Sequence, residues 1–274
     1  MSSSSNNSPG ETILEMASAL EAAGRAVLKI RKSGALGTRD KVAAWDVVTE
    51  GDKASERILT RTIAARFPED GITGEEGTTR PSRNGRTWYL DPIDGTTNYA
   101  AGNPMFGISA GCFVHYTHDL GLVHFPALPG RPTYAAARGT GARILGKDAQ
   151  LIAPPFDGPL SSALVGGAFN MDMVHLFAPV RAKVRNLVAY GSVVYEAICV
   201  AEGRTAAFFH TGATIFDVAA VATIVAEAGG YVGGILEESV DYTAKRIPII
   251  FARDRELAVD LRMVLRDNWT PPTR

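Results

Sequence analysis

Residues 88–109 read WYLDPIDGTTNYAAGNPMFGIS, and the rest of the chain is organised around them. The apolar start, WYL, predicts a strand that runs directly into Asp91. Pro92 has no backbone N–H to give to a neighbouring strand and Gly95 favours a turn, so the strand is expected to stop there. Asp91 and Asp94 are therefore predicted to lie together on a tight turn. Two carboxylates held in this way indicate a site rather than a core.

The residues that follow Asp94 are expected to begin a helix. The backbone amides of Gly95, Thr96 and Thr97 lie at its start. A helix N-terminus presents free N–H donors and the positive end of the helix dipole to an anion. The sequence therefore predicts ligands for a cation beside a binding segment for an anion.

Two less specific interpretations also fit the string DPIDG. Asp, Pro and Gly each favour turns for local reasons, so the string by itself is a common turn. The DxxDG spacing also suggests a calcium loop. An EF-hand, however, needs oxygen ligands at alternate positions and a Glu that closes a loop of about 12 residues. Thr96, Thr97 and Asn98 do not continue that pattern, which excludes the EF-hand.

The longer strings DPIDGTTNY and GNPMFGIS resemble the signature of the inositol monophosphatase family. Its members are magnesium-dependent phosphomonoesterases, and many are inhibited by lithium. The resemblance covers nearly the whole chain after Glu11. It implies a homodimer that acts on a small-molecule phosphate monoester with about two or three Mg²⁺ ions per site. Mn²⁺ would be a substitute for Mg²⁺, and Li⁺ and Ca²⁺ would be inhibitors.

The composition is that of an ordinary globular protein. With 274 residues and 46% hydrophobic content, the chain can form one large domain or two packed halves. Its 28 basic and 29 acidic residues give a formal net charge of -1, which speaks against a nucleic-acid polymer or a membrane surface as partner. Cys112 and Cys199 lie far apart, so neither a CxxC metal site nor a disulfide framework is expected.

Residues 1–10, MSSSSNNSPG, are predicted to be a disordered tail because they form a tract of Ser and Asn. This segment lacks the basic and apolar regions of a signal peptide, and the chain has no run of about 18 apolar residues. We therefore expect a cytoplasmic protein. Ser8, Pro9 and Glu11 fall at the cap, the first and the third positions of a helix.

The N-terminal half, residues 11–150, is predicted to open with two helices and to continue as a meander of strands. Apolar residues recur at three- and four-residue intervals over 11–32, which indicates an amphipathic helix. A second helix follows Asp52 and stops at Pro68. Short strands are expected at 105–114, 119–125, 132–137 and 142–145.

The C-terminal half, residues 151–274, follows a Gly- and Pro-rich boundary at 146–160. Strands are expected at 162–167, 186–190, 205–209 and 248–252, and helices at 173–184, 192–202, 215–228 and 254–266. This alternation predicts a sheet flanked by helices. The fold class is therefore α/β with α+β layering. It matches the α-β-α-β-α sandwich of the inositol monophosphatase and fructose-1,6-bisphosphatase type that the resemblance implies.

Five further residues carry over from the resemblance. The family's Asp-x-x-Thr-x-x-Asp pattern falls on Asp46, Thr49 and Asp52. The first Glu of GITGEEG, a metal ligand in the family, is Glu75, and the last metal ligand, before Val-Ala-Ala, is Asp217. Without the resemblance, Asp52 and Asp217 are ordinary acids at helix starts and Glu75 is a solvated charge.

Glu75, Asp91, Asp94 and Asp217 would then form one acidic cluster. Two like charges about 4 Å apart repel by roughly 4 kcal/mol at an effective dielectric constant of about 20, so such a cluster takes up protons or binds cations. Hard oxygen ligands without Cys or His favour Mg²⁺ over Zn²⁺. The main-chain carbonyl of Ile93 would add one more oxygen.

The resemblance also implies a mechanism in which no residue becomes phosphorylated. Metal ions lower the pKa of a bound water and stabilise the leaving oxygen. Thr96, hydrogen-bonded to Asp46, would position that water and help to deprotonate it, and Glu75 would be a further catalytic residue. The amides of Gly95 and Thr96 would hold the phosphate oxygens.

The sequence departs from the family where the alcohol part of the substrate should lie. Gly191 and Ser192 keep the family's Gly-Ser, but Val193 and Tyr195 stand in its small, Ala-rich continuation. His210 stands seven positions before the last metal ligand, where relatives commonly have Glu. Gly191, Ser192, Val193 and His210 are the predicted substrate contacts.

Three kinds of function compete. The sequence favours Mg²⁺-dependent hydrolysis of a small phosphate monoester such as an inositol, sugar or polyol phosphate. A nucleotide 3′-phosphatase acting on adenosine 3′,5′-bisphosphate, or a histidinol-phosphate phosphatase, would share the metal motifs. A catalytically silent regulatory relative is disfavoured, because drift would be expected to strike a metal ligand and all four are present.

Overall fold

The computed structural model describes residues 8–34, 36–37, 39–40, 47–169 and 171–270. The α-helices of this part of the chain are α1 (Pro9–Ser33), α2 (Glu50–Arg66), α3 (Thr96–Ala101), α4 (Phe177–Lys183), α5 (Val193–Ala201), α6 (Ile215–Glu227) and α7 (Arg255–Asp267). Two 3₁₀ helices span Leu160–Ser162 and Met171–Leu176.

The strands of the described residues fall into three sheets. In chain order they are β1 (Arg39–Asp40), β2 (Val47–Val48), β3 (Gly71–Gly74), β4 (Thr79–Arg80), β5 (Arg86–Asp94), β6 (Gly107–Val114), β7 (Thr117–His124), β8 (Thr133–Ala137), β9 (Ala142–Ile144), β10 (Gln150–Leu151), β11 (Leu164–Ala168), β12 (Asn186–Val188), β13 (Ala207–Ala213), β14 (Tyr231–Gly234) and β15 (Ile247–Ala252). Strands β1 and β2 form a small antiparallel ribbon.

The helix predicted at the start of the chain is confirmed. Ser8 accepts a hydrogen bond at Oγ from the backbone N–H of Glu11, and the Glu11 carboxylate accepts one from the backbone N–H of Ser8, which makes a capping box. The helix begins at Pro9, so the disordered tail predicted over residues 1–10 is wrong for Pro9 and Gly10. Residues 1–7 lie outside the described part of the chain.

The large sheet has eight strands in the order β10-β9-β8-β7-β6-β5-β3-β4. Its pairs are antiparallel except for β3 and β5, which run parallel. The small sheet has the order β12-β11-β13-β15-β14. Strand β11 runs parallel to β12 and β13, and β15 runs antiparallel to β13 and β14. The predicted meander and the predicted second sheet are both present.

Five layers result from the packing of helices on these sheets. Helices α1 and α2 cover one face of the large sheet, α5 and α6 lie between the two sheets, and α4 and α7 cover the outer face of the small sheet. The predicted α-β-α-β-α class is therefore confirmed. The division at residue 150 into two domains stays a prediction, because α5 and α6 contact both sheets.

Two glycines allow α6 to lie close to the large sheet. A Cβ added at Gly111 would overlap the backbone of Ala219, and one added at Gly121 would overlap the carbonyl of Ala220. The sheet and the helix therefore meet backbone to backbone. This close approach brings the first turn of α6 to the end of β5.

One prediction about strand β5 is wrong. Strand β5 does not stop at Asp91 but continues to Asp94, and its pairing with β6 shifts register between these two residues. Pro92 lies within that irregularity, where a missing N–H costs no regular ladder bond. The two carboxylates thus lie on a bulged strand end instead of a free turn.

None of the helices in the described ranges combines the length and the apolar character needed to cross a membrane.

Candidate active site

Three carboxylates meet where β5 ends and α6 begins. One side-chain oxygen from each of Asp91, Asp94 and Asp217 lies within 4.8 Å of the other two. Asp91 and Asp94 are buried, and Asp217 is partly exposed. The structure therefore brings together residues more than 120 positions apart in sequence.

Both carboxylates of β5 are fixed by backbone donors. Asp91 accepts at Oδ1 from the N–H of Ile93 at 3.1 Å, within the bulge. Asp94 accepts at Oδ2 from the N–H of Val194 at 2.8 Å and is also hydrogen-bonded by Ser192. Because Ser192 and Val194 form the start of α5, that helix end holds Asp94 with its free N–H groups and its dipole.

Asp217 has two roles at once. It is the third residue of α6, and its Oδ2 accepts from the N–H of Thr214 at 2.5 Å and from the Thr214 hydroxyl at 2.8 Å. The helix-start role that the sequence also allowed is therefore real. The cap fixes the rotamer of Asp217, and the fixed side chain lies against the carboxylates of β5.

Burial and mutual repulsion disturb the titration of this cluster. Burial raises the pKa of Asp91 well above its usual value, and the charges of Glu75, Asp94 and Asp217 raise it further. Burial and the charge of Asp217 raise the pKa of Asp94 to about 8, although hydrogen bonds from Val194 and Ser192 oppose the shift. Such a cluster is stabilised either by protons or by a cation.

The donors fit a hard divalent cation. All three clustered side chains offer carboxylate oxygens, which Mg²⁺ prefers to nitrogen or sulfur. The carbonyl oxygen of Ile93 accepts from the Thr96 hydroxyl at 2.9 Å and keeps a second lone pair. Asp91, Asp94, Asp217 and the Ile93 carbonyl are therefore the residues that could hold the ion.

Glu75 lies beside the cluster but outside the group of three. It is an exposed residue on the turn after β3, and a side-chain hydrogen bond joins it to Asp91. Its backbone N–H donates to the carbonyl of Leu90 at 3.1 Å, which ties the turn to β5 next to Asp91. Glu75 is thus placed to approach the cluster from the solvent side.

The carboxylate that the structure places next to Thr96 belongs to Asp52. The two side chains are 3.5 Å apart, from Thr96 Oγ1 to Asp52 Oδ1. Asp46, the partner expected for Thr96, lies outside the described residues. Asp52 also caps α2, since its Oδ2 accepts from the N–H of Thr49 at 2.7 Å and from its hydroxyl at 2.6 Å. The resemblance had already marked Asp52, but its capping role also explained it, and the sequence alone did not show its proximity to Thr96.

A cavity of about 480 Å³ opens beside the cluster. Its lining contains two of the three clustered carboxylates and most of the predicted substrate contacts. The lining residues are Asp94, Gly95, Gly167, Ala168, Phe169, Val174, Ala189, Gly191, Ser192, Val193, Glu196, Phe208, His210 and Asp217. None of these described residues is a Lys or an Arg.

Glu196 is a cavity residue that the sequence reasoning missed. It is buried in the first turn of α5, and its Oε1 accepts from the N–H of Tyr190 at 2.7 Å. Burial raises its pKa to about 7, against the opposing effect of the amides of Tyr190 and Gly191. The signal that could have found it is the single acid in the apolar run VVYEAICV, which has no polar neighbour to explain it.

His210 lies on β13 and lines the cavity, as predicted from its spacing to Asp217. Its Nδ1 accepts from the N–H of Gly212 at 3.0 Å. Burial lowers its pKa to about 4, and the charge of Arg246 adds to this shift. The ring is therefore neutral near pH 7, and the proton lies on Nε2, because Nδ1 is an acceptor. His210 can donate one hydrogen bond but does not attract an anion by charge.

Comparison with known proteins finds relatives that match most of the chain. The model of the inositol monophosphatase family matches residues 10–262. A histidinol-phosphatase of Chlorobaculum parvum is 35% identical over 185 residues, which are 67% of this chain and 70% of that protein. An inositol-1-monophosphatase of Mycobacterium bovis is 36% identical over 208 residues, which are 71% of this chain and 70% of that protein.

A solved structure has the same fold. An IMPase from Thermotoga maritima is 27% identical to this chain with a TM-score of 0.79, and the match covers 91% of this chain and 94% of that one. The family match spans all of the carboxylates described above. The resemblance inferred from DPIDGTTNY is thereby confirmed, and the chain belongs to the inositol monophosphatase family.

Proposed function

We propose that this chain hydrolyses a small phosphate monoester with Mg²⁺ at the cluster of Asp91, Asp94 and Asp217. The observation that carries the proposal is the position of that cluster. Three carboxylate oxygens lie within 4.8 Å of one another, and Asp94 and Asp217 line a cavity of about 480 Å³. The sequence relatives named as phosphatases support the same reaction class.

The metal site would use the three clustered carboxylates, the Ile93 carbonyl and Glu75. When bound, Mg²⁺ would lower the pKa of a water molecule and stabilise negative charge on phosphate and leaving oxygens. Glu75 would join from the turn that is tied to Asp91. Asp91 would be the central ligand, because it is linked to Glu75 on one side and lies beside Asp94 and Asp217 on the other.

Thr96 and Asp52 would handle the proton of the attacking water. The Thr96 hydroxyl is fixed by the Ile93 carbonyl and lies next to the Asp52 carboxylate, so it can receive a proton from water and pass its own to Asp52. Asp52 takes the role first expected of Asp46. The new oxygen–phosphorus bond forms as the ester bond breaks, and the leaving oxygen takes a proton from solvent water. Phosphate and alcohol then leave without a phosphorylated residue, and Asp52 returns its proton to the solvent.

The backbone at Gly95 and Thr96 would bind the phosphate. Gly95 has a left-handed conformation with φ 82°, and a Cβ there would press on Ser192 at 3.0 Å and on the carbonyl of Gly191 at 3.1 Å. Glycine therefore lets the segment that follows β5 pass close to the start of α5. Phosphate would lie where these two segments meet, with the amides of Gly95 and Thr96 as donors.

The cavity favours an alcohol without a second anionic group. None of its described lining residues is cationic, whereas a second phosphate usually needs Arg or Lys. This disfavours adenosine 3′,5′-bisphosphate as substrate. Glu196 and His210 instead offer hydrogen-bonding groups for hydroxyls or amines. A polyol or sugar monophosphate is the first candidate. Histidinol phosphate is the second, favoured by the buried carboxyl of Glu196 and by the histidinol-phosphatase relative.

A phosphate-release panel tests the proposal. The purified protein is assayed with Mg²⁺ on myo-inositol 1-phosphate, sugar monophosphates, histidinol phosphate and adenosine 3′,5′-bisphosphate, with and without a chelator. We expect turnover of at least one monophosphate, its loss with chelator and its return with added Mg²⁺. Absence of release from every substrate with Mg²⁺ or Mn²⁺ would contradict the proposed function. Sedimentation of the same sample tests the homodimer, which we also propose.

A further inference from the structure

Another carboxylate of α2, Glu56, lies four positions after Asp52 and therefore on the same side of the helix. Glu56 is 4% exposed. The proposed mechanism uses Asp52 but has no role for Glu56. A buried carboxylate needs hydrogen-bond donors. The donors to the Glu56 carboxylate belong to one short turn.

That turn is Gly74–Thr78, which follows β3 and carries Glu75. Glu56 Oε2 accepts from the N–H of Glu76 at 2.8 Å. Glu56 Oε1 accepts from the N–H of Thr78 at 3.1 Å and from the Thr78 hydroxyl at 2.5 Å. One carboxylate therefore collects three donors from residues that flank Glu75.

The backbone of the turn is shaped around this carboxylate. A Cβ added at Gly74 would overlap the Glu56 carboxylate, so Gly74 lies directly against it. The N–H of Gly74 donates to the carbonyl of Thr78 at 2.8 Å and closes the turn. On its other side the turn is tied to β5, because the N–H of Glu75 donates to the carbonyl of Leu90 at 3.1 Å.

The Glu75 side chain is exposed and is hydrogen-bonded to Asp91. Its backbone is held by the two attachments of its turn, one to the Leu90 carbonyl of β5 and one to Glu56. We infer that Glu56 is a positioning residue that holds Glu75 in place for the metal ion and so sets the affinity of the site for divalent cations. This inference rests on the proposed function, in which Glu75 is a ligand.

The test compares Glu56→Gln with the wild type in a measurement that needs no turnover. Gln keeps the length of the side chain but replaces one accepting oxygen with an amide that donates, so a donor of the turn faces another donor. Binding of Mn²⁺ to the full chain is followed through the electron paramagnetic resonance of free Mn²⁺. We expect the dissociation constant to rise about 10–100-fold, as for other residues that orient metal ligands.

Two further variants separate positioning from general stability. Thr78→Val removes one donor to Glu56 without changing Glu56, and we expect a rise of about fivefold, the equivalent of one hydrogen bond. Glu69→Gln removes an exposed carboxylate that does not contact the turn, and its Mn²⁺ affinity should equal that of the wild type. Saturating Mg²⁺ should restore the turnover of Glu56→Gln to within about threefold of wild type, because the chemical groups remain.

A lower melting temperature for Glu56→Gln with unchanged Mn²⁺ affinity would overturn the inference and leave Glu56 a structural residue. If Glu56→Gln does not fold, Thr78→Val decides the question alone. Failure of the two proposals can be told apart: a wild type that binds Mn²⁺ and releases phosphate, with both variants unchanged, refutes only the role of Glu56. A wild type that binds no Mn²⁺ refutes both.

Discussion

Asp94 is a buried carboxyl group whose ionised form is subject to opposing effects. Burial and Asp217 disfavour its ionised form, whereas Val194 and Ser192 stabilise that form with hydrogen bonds. The pKa of about 8 that results means that the cluster to which Asp94 belongs holds protons near pH 7 when no cation is near. A divalent cation would replace protons of the cluster, so metal binding should release protons to the solvent.

Thr96→Ala tests the proton path through Thr96 and Asp52. Loss of the hydroxyl should lower kcat by about 10²–10⁴, the usual share of positioned proton transfer, with little change in Mg²⁺ affinity. Thr97→Ala, one position further along α3 and exposed, is the matched control and should keep its kcat. Asp52→Asn should lower kcat to a similar degree. An unchanged kcat in Thr96→Ala would show that Thr96 takes no part in the proton transfer and serves only as the first residue of α3.

His210→Glu tests whether His210 contacts the substrate. The wild type presents a donor at Nε2 where relatives commonly have a carboxylate that accepts, so we expect weak activity on myo-inositol 1-phosphate. The substitution should raise kcat/KM for that substrate relative to the preferred one by about 1–3 kcal/mol of transition-state discrimination. His210→Gln keeps a neutral side chain and should not produce this change. A ratio of kcat/KM values that does not move would exclude His210 as a specificity residue.

Glu196→Gln tests the buried carboxyl by its effect on stability at different pH values. The folded-state pKa of Glu196, about 7, lies above its ordinary value of 4.5, so the folded protein binds more protons than the unfolded chain between these values. Wild type therefore loses stability relative to Glu196→Gln as pH rises from about 4.5 to 7. At pH 8 the variant should be more stable by up to about 3 kcal/mol.

Urea unfolding of the metal-free protein at pH 5 and pH 8 measures this difference. Glu256→Gln is the control, because it removes an exposed carboxylate from the first turn of another helix, α7. A stability difference between wild type and Glu196→Gln that is equal at both pH values would contradict the burial of an ionisable Glu196.

At the scale of elements, the site depends on how two helix starts meet one strand end. The start of α5 holds Asp94 through Val194, and the start of α6 carries Asp217. Both helices lie between the sheets, so the distance from α6 to the large sheet controls the distance between Asp217 and β5. The small residues at the contact set that distance.

Gly121→Ala tests this control. The added methyl group would overlap the carbonyl of Ala220, so α6 must move away from β7. We expect a loss of stability of about 1–3 kcal/mol, as in other overpacked cores, together with weaker Mg²⁺ binding. Gly10→Ala is the control, because a Cβ at Gly10 meets nothing within 4 Å. Equal urea midpoints for the two variants would show that the contact between Gly121 and Ala220 accommodates a methyl group without loss of stability.

The end of strand β5 could not be predicted correctly from the local sequence. Pro92 and Gly95 are sound signals for the end of a strand, and they led to an end at Asp91. The strand continues because β6 lies alongside and the register shift accommodates the proline. Strand β14 was missed for a related reason, since two of its four residues are glycines, which have low strand propensity.

Over the molecule as a whole, the sequence pattern predicted a meander followed by a helix-flanked sheet, and the resemblance supplied the order of the layers. Helices and strands beyond residue 160 alternate, and apolar residues of α1 recur at helical intervals, so these patterns do not depend on distant contacts. Asp91 and Asp94 were predicted as a site from the strand end and turn residues around them, whereas Glu75 and Asp217 came from the resemblance. The structure places Asp91, Asp94 and Asp217 together.

What the sequence did not reveal depends on contacts between distant segments. Asp52 lies next to Thr96 because α2 packs on β5, and nothing in the capping pattern of Asp52 shows that distance. Glu56 is similar, since its three donors lie about 20 positions away on another element. Glu196 lies against Gly166 of β11, in the small sheet. A local pattern cannot report such distances.

Phosphate release by Asp91→Asn is the most direct test of the metal-dependent cluster. Asn keeps the shape of residue 91 but removes a shared ligand charge, so turnover at saturating Mg²⁺ should fall by at least about 10³-fold. The metal-free variant should melt at or above the wild-type temperature, because Asn avoids the cost of burying or protonating the Asp91 carboxyl beside its acidic neighbours, and such a melting temperature would show an intact fold. A variant that keeps its fold and retains turnover within about tenfold of wild type would contradict catalysis at this cluster.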